Sequence, residues 1–362
     1  MNLRTFAFYL PQFHPTALND ELWGAGFTEW FNVVKAKPLF NGHFQPKMPG
    51  ELGFYDLRAP DVMKDQARIA KSHGVNAFCF YYYRFGSQRA LHRPLDIFLE
   101  NPDIAIDFLY CWANESWTKA WDGRSDSVLV EQIYDDNALN GLVDDLVKAM
   151  SDHRYVRIGN KPAFIIYQIS QLPAAKEFVN ALRKRVENRI GENITIGTVY
   201  NADYKSEFDS FIDFTVQFPP HRIPRPHGSR ILMDAHDVAP YEAERGDYFE
   251  SYEHVKAAAL RPDQWLSNMY LGATPDWDNS ARRPKEAHIL VGSTPELFED
   301  WVSKMGKVAI ARCESGLVPE AIIFVNAWNE WAEGAMLEPS QIHGRQYLEA
   351  LNRGLGSAKI SI

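Results

Sequence analysis

Two glutamates stand three residues apart in the stretch NAWNEWAEGAMLEP, which covers residues 326–339 and contains the end of an apolar run. Cleavage of a glycosidic bond needs two carboxyl groups: one protonates the leaving oxygen, and the other acts as nucleophile or base. Carboxyl groups placed close together separate each other's pKa values, as these two roles require. We therefore interpret Glu330 and Glu333 as a catalytic pair. The alternative is that Glu333 is an ordinary acidic residue in the first turn of a helix that begins near Asn329.

A second feature, tryptophan beside carboxylate and amide, recurs in residues 22–30 (LWGAGFTEW), 112–123 (WANESWTKAWDG) and 272–284 (GATPDWDNSARRP). Indole faces stack on the C–H faces of sugar rings, and amides and carboxylates bind hydroxyl groups, so the composition predicts a carbohydrate site. Packing is the alternative for each tryptophan, and in the run of three tyrosines around Tyr82 only alternate members can face one site. The candidate substrate-binding residues are Glu29, Trp30, Tyr82, Trp112, Asn114, Glu115, Trp117, Trp121, Asp122, Trp277, Asp278, Asn329 and Trp331.

The elements that must position these residues are short apolar runs separated by helical patterns. Each run is nearly continuous rather than alternating, as in parallel strands that are covered on both faces. The predicted strands are TFAFYL, VNAFCFYYY, IAIDFLYCW, PAFIIYQI, ITIGTVY, FIDFTVQF, WLSNMYL and AIIFVNAW. Predicted helices include residues 60–74, which open with a proline and close with a glycine, as well as residues 248–260 and a long helix from Thr294.

Eight strands that alternate with helices predict an α/β fold, a (β/α)8 TIM barrel, as one catalytic domain over residues 1–362. Residues 11–59, 113–134 and 218–246 form unusually long connections, and long loops are commonly functional. In a barrel these long βα loops lie at the carboxyl ends of the strands, on the face that carries the active site. A doubly wound open sheet is the alternative, but the sequence contains no glycine-rich phosphate loop to support it.

The net charge and the lengths of the apolar runs indicate which classes of partner are unfavourable. The formal net charge of −9 disfavours nucleic acid and anionic membranes as partners, and no apolar run is long enough to span a bilayer. His221 and His227 lack companion carboxylates, so we predict no metal site and no cofactor. The basic segment at residues 281–284 (ARRP) is interpreted as a solvated loop. The first residues contain no signal-peptide pattern, and we expect a cytoplasmic location.

A set of motifs along nearly the whole chain resembles a known family. The motifs are YLPQFHP, GFTEW, KPLFNGHFQP, LGFYDLR, FCFYYYRF, RPLD, CWANESWTKAWDG and NAWNEWAEGAMLEP. They resemble the WbsX-like family found with bacterial surface-polysaccharide genes, which is similar to glycoside hydrolase family 99, the endo-α-mannosidases and endo-α-mannanases. The resemblance implies a metal-independent (β/α)8 barrel that cleaves α-mannosidic bonds with retention.

The resemblance also implies a separate role for each glutamate. Glu330 takes the place of the base that deprotonates the sugar 2-hydroxyl, which attacks the anomeric carbon to give a 1,2-anhydro sugar. Glu333 takes the place of the general acid and then of the base toward water. Family 99 hydrolases carry histidine where this chain has Ala332, and we expect this departure to mark a different substrate.

Three hypotheses follow for the function. The first is a retaining glycoside hydrolase that cleaves α-linked, mannose-like bonds in an oligo- or polysaccharide. The second is a glycosyltransferase or transglycosidase in bacterial surface-polysaccharide (lipopolysaccharide O-antigen) biosynthesis, and the third is an inactive carbohydrate-binding barrel.

Overall fold

Eight parallel strands close into a barrel in the computed structural model, which describes residues 2–118, 127–223 and 245–360. Every predicted strand contributes to it, and the (β/α)8 prediction is confirmed. Closure is direct: Thr5 pairs with Ile323 of the last strand, and Phe6 pairs with Ala77 of the second. A doubly wound sheet would leave two open edges, so this alternative is excluded. The strands are β1 (Arg4–Tyr9), β2 (Ala77–Phe85), β3 (Asp107–Trp112), β4 (Lys161–Ile166), β5 (Thr195–Tyr200), β6 (Phe214–Gln217), β7 (Met269–Ala273) and β8 (Ile322–Val325).

The strands are apolar throughout because both of their faces are covered. All nine residues of β2 are buried. Inside the barrel the ring of Phe8 packs 5.7 Å from that of Phe324 and 4.8 Å from that of Phe218. Side chains of this size fill the interior of an eight-stranded barrel, so ligands can bind only beyond the strand ends.

Helices cover the outside of the barrel and begin with the predicted caps. Pro60 opens the third helix, and the Thr294 side chain accepts a hydrogen bond of 3.2 Å from the Leu297 amide at the start of the eighth. The helices of the described residues are α1 (Ala17–Trp23), α2 (Trp30–Val34), α3 (Pro60–Ser72), α4 (Arg93–Glu100), α5 (Asp136–Met150), α6 (Ala175–Ile190), α7 (Tyr252–Ala259), α8 (Pro295–Glu314) and α9 (Gln346–Ile360). None of them is both long and apolar enough to cross a membrane.

Short strands decorate the barrel, and one of them corrects a prediction. Residues 248–260 were expected to be helical throughout, but Tyr248–Ser251 is a strand paired in parallel with His288–Val291. Pairing with a distant segment has overridden the local helical pattern, and α7 begins only after Ser251. The other short strands are Gln88–Ala90, Trp117–Thr118, Val128–Val130, Arg157–Ile158, Asn329–Glu330 and Ala335–Met336. Between β5 and β6 a 3₁₀ turn, Ser206–Ser210, replaces a helix.

A buried carboxylate anchors the loop after β8. Glu338 is 3% exposed and accepts hydrogen bonds from Trp331 Nε1 (2.6 Å), the Tyr55 hydroxyl (2.8 Å) and Gln66 Nε2 (2.7 Å). No cation among the described residues forms an ion pair with it. Burial is the largest effect and raises the pKa of Glu338 to about 7, although the three hydrogen bonds lower it.

The pKa of Glu338 predicts how stability depends on pH. Its pKa is about 7 in the folded state and 4.5 ordinarily, so the folded state binds the extra proton between these values. The free energy of unfolding should therefore fall as pH rises through this window. Glu338→Gln removes the titrating group. Urea denaturation at about pH 5 and about pH 8 should show wild type losing on the order of 2–3 kcal/mol relative to the variant. Parallel pH profiles would contradict the assignment.

A close approach between β6 and β7 gives a second prediction. A Cβ added at Gly272 would lie 2.0 Å from the backbone carbonyl oxygen of Gln217, which cannot move without breaking the barrel. Gly272→Ala should lower the free energy of unfolding by at least about 2 kcal/mol. Gly356, exposed on α9 with nothing within 4 Å of such an atom, is the matched control. Gly356→Ala should raise stability by roughly 0.5–1 kcal/mol in the same denaturation experiment.

Candidate active site

A cavity of about 770 Å³ opens at the carboxyl ends of the barrel strands, a volume typical of ligand-binding pockets. Residues at or beyond the ends of β2 to β8 line it, so seven of the eight strands contribute directly. Glu330 and Glu333 both lie in its wall.

The two glutamates stand on a tight hairpin rather than on a helix. Asn329–Glu330 pairs antiparallel with Ala335–Met336, and a 3₁₀ turn, Trp331–Glu333, joins the two strands. Gly334 closes the turn at φ 68°, a left-handed conformation that favours glycine. The alternative interpretation, in which Glu333 belongs to the first turn of an α-helix, is therefore wrong.

The side chain of Arg282 lies between the carboxyl groups of Glu29, Glu330 and Glu333. Its Nη1 donates to Glu333 Oε1 at 2.8 Å, and its Nη2 and Nε donate to Glu29 Oε1 at 2.8 and 3.2 Å. The same Nη2 stands 3.5 Å from Glu330 Oε2. The side chains of Arg282 and Glu29 are 11% and 1% exposed, so this cluster is largely shielded from water.

The two catalytic candidates differ in their surroundings. Burial, and secondarily the charge of Glu333, raise the pKa of Glu330 well above its usual range. Glu330 Oε2 is buried without a hydrogen-bond partner among the described residues. Burial also raises the pKa of Glu333, and the charge of Arg282 opposes the rise at both glutamates. The two carboxyl groups therefore differ in their contacts, since Arg282 donates a hydrogen bond to Glu333 whereas Glu330 Oε2 has no such partner among the described residues.

The loops that carry these residues are joined to one another. The Asp278 amide donates to the Glu333 carbonyl oxygen at 2.7 Å, which ties the β7 loop to the β8 hairpin. The Glu29 amide donates to the Gln12 carbonyl oxygen at 3.1 Å within the β1 loop. Glu29 then reaches across to Arg282, so loops from β1, β7 and β8 meet at one guanidinium.

Five of the predicted site residues line the cavity: Glu115, Trp117, Trp277, Glu330 and Glu333. Glu115 Oε1 accepts a hydrogen bond from Gln168 Nε2 at 2.7 Å, and burial raises its pKa. Trp117 and Trp277 are 5% and 1% exposed, so they offer a sugar little of their ring faces.

Tyr82 does not reach the cavity. It points away from the barrel interior, where its hydroxyl donates to Asp145 and accepts from Arg84 Nε at 3.0 Å. Its neighbours Tyr81 and Tyr83 face the cavity instead. The prediction that Tyr82 contacts substrate is therefore corrected, because side chains alternate along a strand.

Three of the predicted tryptophans pack in the core and do not line the cavity. Trp30 and Trp112 donate through Nε1 to backbone carbonyl oxygens at 2.9 and 3.3 Å, and Trp331 donates to Glu338. All three are at most 8% exposed. Their contribution to the site is to hold its loops in place, since no ring face is open to a ligand.

Two asparagines that were predicted to bind substrate, Asn114 and Asn329, form hydrogen bonds with backbone groups and do not line the cavity. Asn114 accepts from the Gln168 amide at 2.8 Å and donates to the Gln168 carbonyl oxygen at 2.9 Å. Asn329 bonds both backbone groups of Leu10 in the same way, at 2.7 and 3.0 Å. Each amide fixes the course of a neighbouring loop.

Asp278 belongs to an Asp-x-Asp pair whose carboxylates are already occupied. Asp278 Oδ2 lies 2.8 Å from His43 Nε2 and accepts from Gln45 Nε2 at 2.5 Å. These contacts and the nearby charge of Lys47 outweigh burial and hold the pKa of Asp278 well below its usual range. The other carboxylate, Asp276, pairs with Lys47. The pair ties the β7 loop to the β1 loop and does not line the cavity.

Several residues that line the cavity were not predicted from the sequence. The segment ARRP, interpreted as a solvated loop, supplies Arg282, whose side chain is only 11% exposed, and that interpretation is wrong for this residue. The sequence did contain one indication that Arg282 belongs to the site, namely its position near Trp277 in the loop after β7. The other cavity residues that were not predicted include Tyr81, Tyr83, Tyr167, Gln168, Asn201, Arg222, Asn279, Arg283 and His288.

Trp121, Asp122 and His227 lie outside the described residues. Within the described ranges, no group of three or more His, Cys, Asp or Glu side chains is arranged to hold a metal ion.

Solved structures with a similar fold have been described. A protein named Glycoside hydrolase-like protein aligns with a TM-score of 0.60 and 17% identity, over 98% of this chain and 94% of its own. The GH99 endo-α-mannosidase from Bacteroides thetaiotaomicron, in complex with bis-tris propane, aligns with a TM-score of 0.57 and 14% identity over 99% of each chain. At these sequence identities the similarity establishes a shared fold alone.

Relatives by sequence are closer. Two curated proteins, each called Uncharacterized protein WxcX, come from Xanthomonas campestris pv. campestris strains B100 and ATCC 33913. They are 37% and 36% identical to this chain over 353 residues. The alignments cover 97% of this chain and 49% of each relative, so the chain spans about half the length of these relatives.

A family model completes the comparison. The model described as Glycosyltransferase WbsX matches residues 5–351, from β1 into the last helix. The match takes in the whole barrel, including both cavity glutamates, and the chain belongs to the WbsX family.

Proposed function

We propose that this protein is a carbohydrate-active enzyme that cleaves α-linked, mannose-like glycosidic bonds in an oligo- or polysaccharide, with retention. The observation that carries the proposal is the pair Glu330 and Glu333 in the wall of one cavity, with unlike surroundings. Acid and base roles in glycoside cleavage need this difference.

The cavity suits a sugar by size and lining. The half-buried ring of Tyr167 provides apolar contact area, and polar side chains such as Gln168 and Asn201 provide hydrogen-bonding groups for hydroxyls. The fold shared with a GH99 endo-α-mannosidase is consistent with this substrate class, as an analogy of fold alone.

The finer mechanism is proposed from the family resemblance. One glutamate removes the proton of the sugar 2-hydroxyl, whose oxygen attacks the anomeric carbon, and the other protonates the leaving oxygen. A 1,2-anhydro sugar results, and water opens it with overall retention. By this resemblance Glu330 is the base that acts on the 2-hydroxyl, and Glu333 is the general acid and then the base toward water.

Replacement of either glutamate should abolish turnover without unfolding the protein. We expect Glu330→Gln and Glu333→Gln each to lower turnover by at least ~10²-fold, because each removes a proton-transfer group. The measurement is incubation with a panel of α-mannans and bacterial surface polysaccharides, with the products identified by mass spectrometry.

The matched control is Glu253→Gln, an exposed glutamate on α7 far along the chain from both catalytic candidates. It should keep wild-type turnover. Near-wild-type turnover in either cavity variant would exclude that residue from catalysis. Binding of a glycan by wild type without any product would favour an inactive carbohydrate-binding barrel.

Transfer of the sugar to an acceptor glycan is the second candidate, and the description of the family model favours it. Transfer from a nucleotide sugar requires a site for the diphosphate. The carboxylates of the Asp-x-Asp pair, Asp276 and Asp278, are already bound to Lys47, His43 and Gln45. This occupation argues against a nucleotide-sugar donor, whereas transfer between glycans needs only the Glu330–Glu333 pair.

Thermal denaturation with nucleotide sugars separates the two kinds of donor. We expect GDP-mannose and UDP-glucose at millimolar concentration to leave the midpoint of unfolding unchanged, because a ligand that does not bind the folded state cannot stabilise it. Mannose is the control for the sugar moiety. A rise of several degrees with a nucleotide sugar alone would favour transfer from an activated donor.

A further inference from the structure

The half-buried side chain of Arg222 forms part of the cavity wall beyond the end of β6, whose neighbour in the barrel is β5. No carboxylate in the described part of the chain forms an ion pair with it, whereas Arg282 on the same cavity wall contacts three. Partial removal of a cation from water is costly, and such charges are usually paired with an anion. Arg222 therefore brings a positive charge to the cavity that the described residues leave unmatched.

The guanidinium of Arg222 is held in a fixed orientation. Its Nη1 donates hydrogen bonds to the backbone carbonyl oxygens of Asn201 and Tyr204, the latter at 3.0 Å. Its Cζ lies 4.1 Å from the centroid of the Tyr200 ring, a cation–π contact. All these contacts are made with the last residue of β5 and the loop that follows it. A side chain held in this way loses little further conformational freedom when a ligand binds.

The remaining edge of the guanidinium is available to a ligand. Nε and Nη2 donate to no group among the described residues, and neither is one of the fully buried unpaired atoms. These two nitrogen atoms form one edge of the planar group, which can donate two parallel hydrogen bonds to a carboxylate or a phosphate. A sugar hydroxyl bound here would leave the charge of Arg222 unmatched, whereas an anionic group would neutralise it.

The backbone at Arg222 adopts an uncommon conformation. Its φ is 49°, in the left-handed region that disfavours residues other than glycine. Such strain persists where the surrounding structure fixes it, and it is concentrated at functional sites. Here the ring of the preceding His221 packs 4.8 Å from that of Trp277 in the β7 loop. The start of the β6 loop is thus held between the loops of β5 and β7.

Two other carboxyl groups of the cavity, those of Glu115 and Asp203, do not pair with Arg222. Glu115 accepts a hydrogen bond from Gln168 at 2.7 Å, and burial raises its pKa, as does the charge of Asp203 to a smaller extent. Asp203 is exposed, so water and salt screen its charge. Neither group takes the place of a counter-ion for the guanidinium.

Resting on the function proposed above, we propose that Arg222 binds an anionic group of the substrate, a carboxylate or a phosphate ester carried by a sugar residue. The substrate class is then an acidic oligo- or polysaccharide rather than a neutral mannan. The cavity of about 770 Å³ has room for a ligand larger than one monosaccharide, so the acidic residue can be a neighbour of the residue that is cleaved. Arg222 determines specificity and takes no part in breaking the bond.

Binding of small sugars tests this inference without turnover, so it can fail while the proposed cleavage holds, and the reverse. The probes are methyl α-D-mannopyranoside, the corresponding uronate with a carboxylate at C6, and the corresponding 6-phosphate, each titrated by calorimetry at millimolar concentration. We expect wild type to bind at least one acidic probe about tenfold more tightly than the neutral one, because hydrogen bonds between charged groups are the strong ones. The two acidic probes distinguish a carboxylate site from a phosphate site. Equal affinity for all three, or no binding of either acidic probe, would overturn the inference.

Variants identify the residue that recognises the anion. Arg222→Gln should remove the preference for the acidic probe and leave the affinity for the neutral probe unchanged. Arg222→Lys keeps the charge but loses the edge with two nitrogen donors, so it should retain only part of the preference. Arg283→Gln is the matched control, since Arg283 is an exposed arginine that also lines the cavity. It should keep the wild-type preference.

A purely structural role for Arg222 predicts a different result. The side chain would then serve only to hold the β5 loop through Nη1, and Arg222→Gln would weaken the binding of neutral and acidic probes alike. An unchanged ratio of affinities in Arg222→Gln, or loss of the preference in Arg283→Gln instead, would refute the role of Arg222. If Arg222→Gln does not fold by circular dichroism, an undiminished preference in Arg222→Lys would refute it equally.

Discussion

The pairing of one buried guanidinium with three carboxyl groups is the interaction on which the rest of this site depends. Removal of an ion from water costs several kcal/mol even after the protein relaxes, and a carboxylate left unpaired there would protonate or drive its loop outward. Arg282 offsets this cost for Glu29 and Glu333 through fork-shaped hydrogen bonds. The three loops it joins belong to strands that are neighbours in the closed barrel, so one side chain both connects the loops and partly neutralises the carboxylates they carry.

The barrel makes this convergence possible because all eight strands end at the same face. Behind the cavity, buried hydrogen bonds hold the loops in place. Glu338 accepts one from the indole of Trp331, and Asn329 bonds the backbone of Leu10. Asp278 is bound to His43 of the β1 loop. None of these groups touches the cavity. They restrict the motion of those that do, as supporting contacts must where reacting groups need fixed geometry.

The strands and the glutamate pair were predictable because each leaves a local trace: an apolar run of strand length, and two carboxyl groups at the end of one. Arg282 left no such trace, since its burial results from contacts with loops about 50 and 250 residues away in sequence. The tyrosine run showed that side chains alternate but not which of them face inward, so Tyr82 was chosen where Tyr81 and Tyr83 line the cavity. Tryptophans beside carboxylates indicated sugar stacking, but Trp30 and Trp331 are core residues. Composition shows which side chains are present in a loop, but not whether they point toward the cavity or toward the core.

The hairpin after β8 has a consequence for how members of this family diverge. Its two glutamates face the cavity, while the residues between them, Trp331 and Ala332, are 1% and 0% exposed. The same four-residue turn thus forms part of the cavity wall on one side and packed interior on the other. A larger side chain at position 332 would contact the packed interior rather than the cavity, and would shift one glutamate relative to the other. A substitution at this position can therefore alter the spacing of the two glutamates through a residue that does not line the cavity.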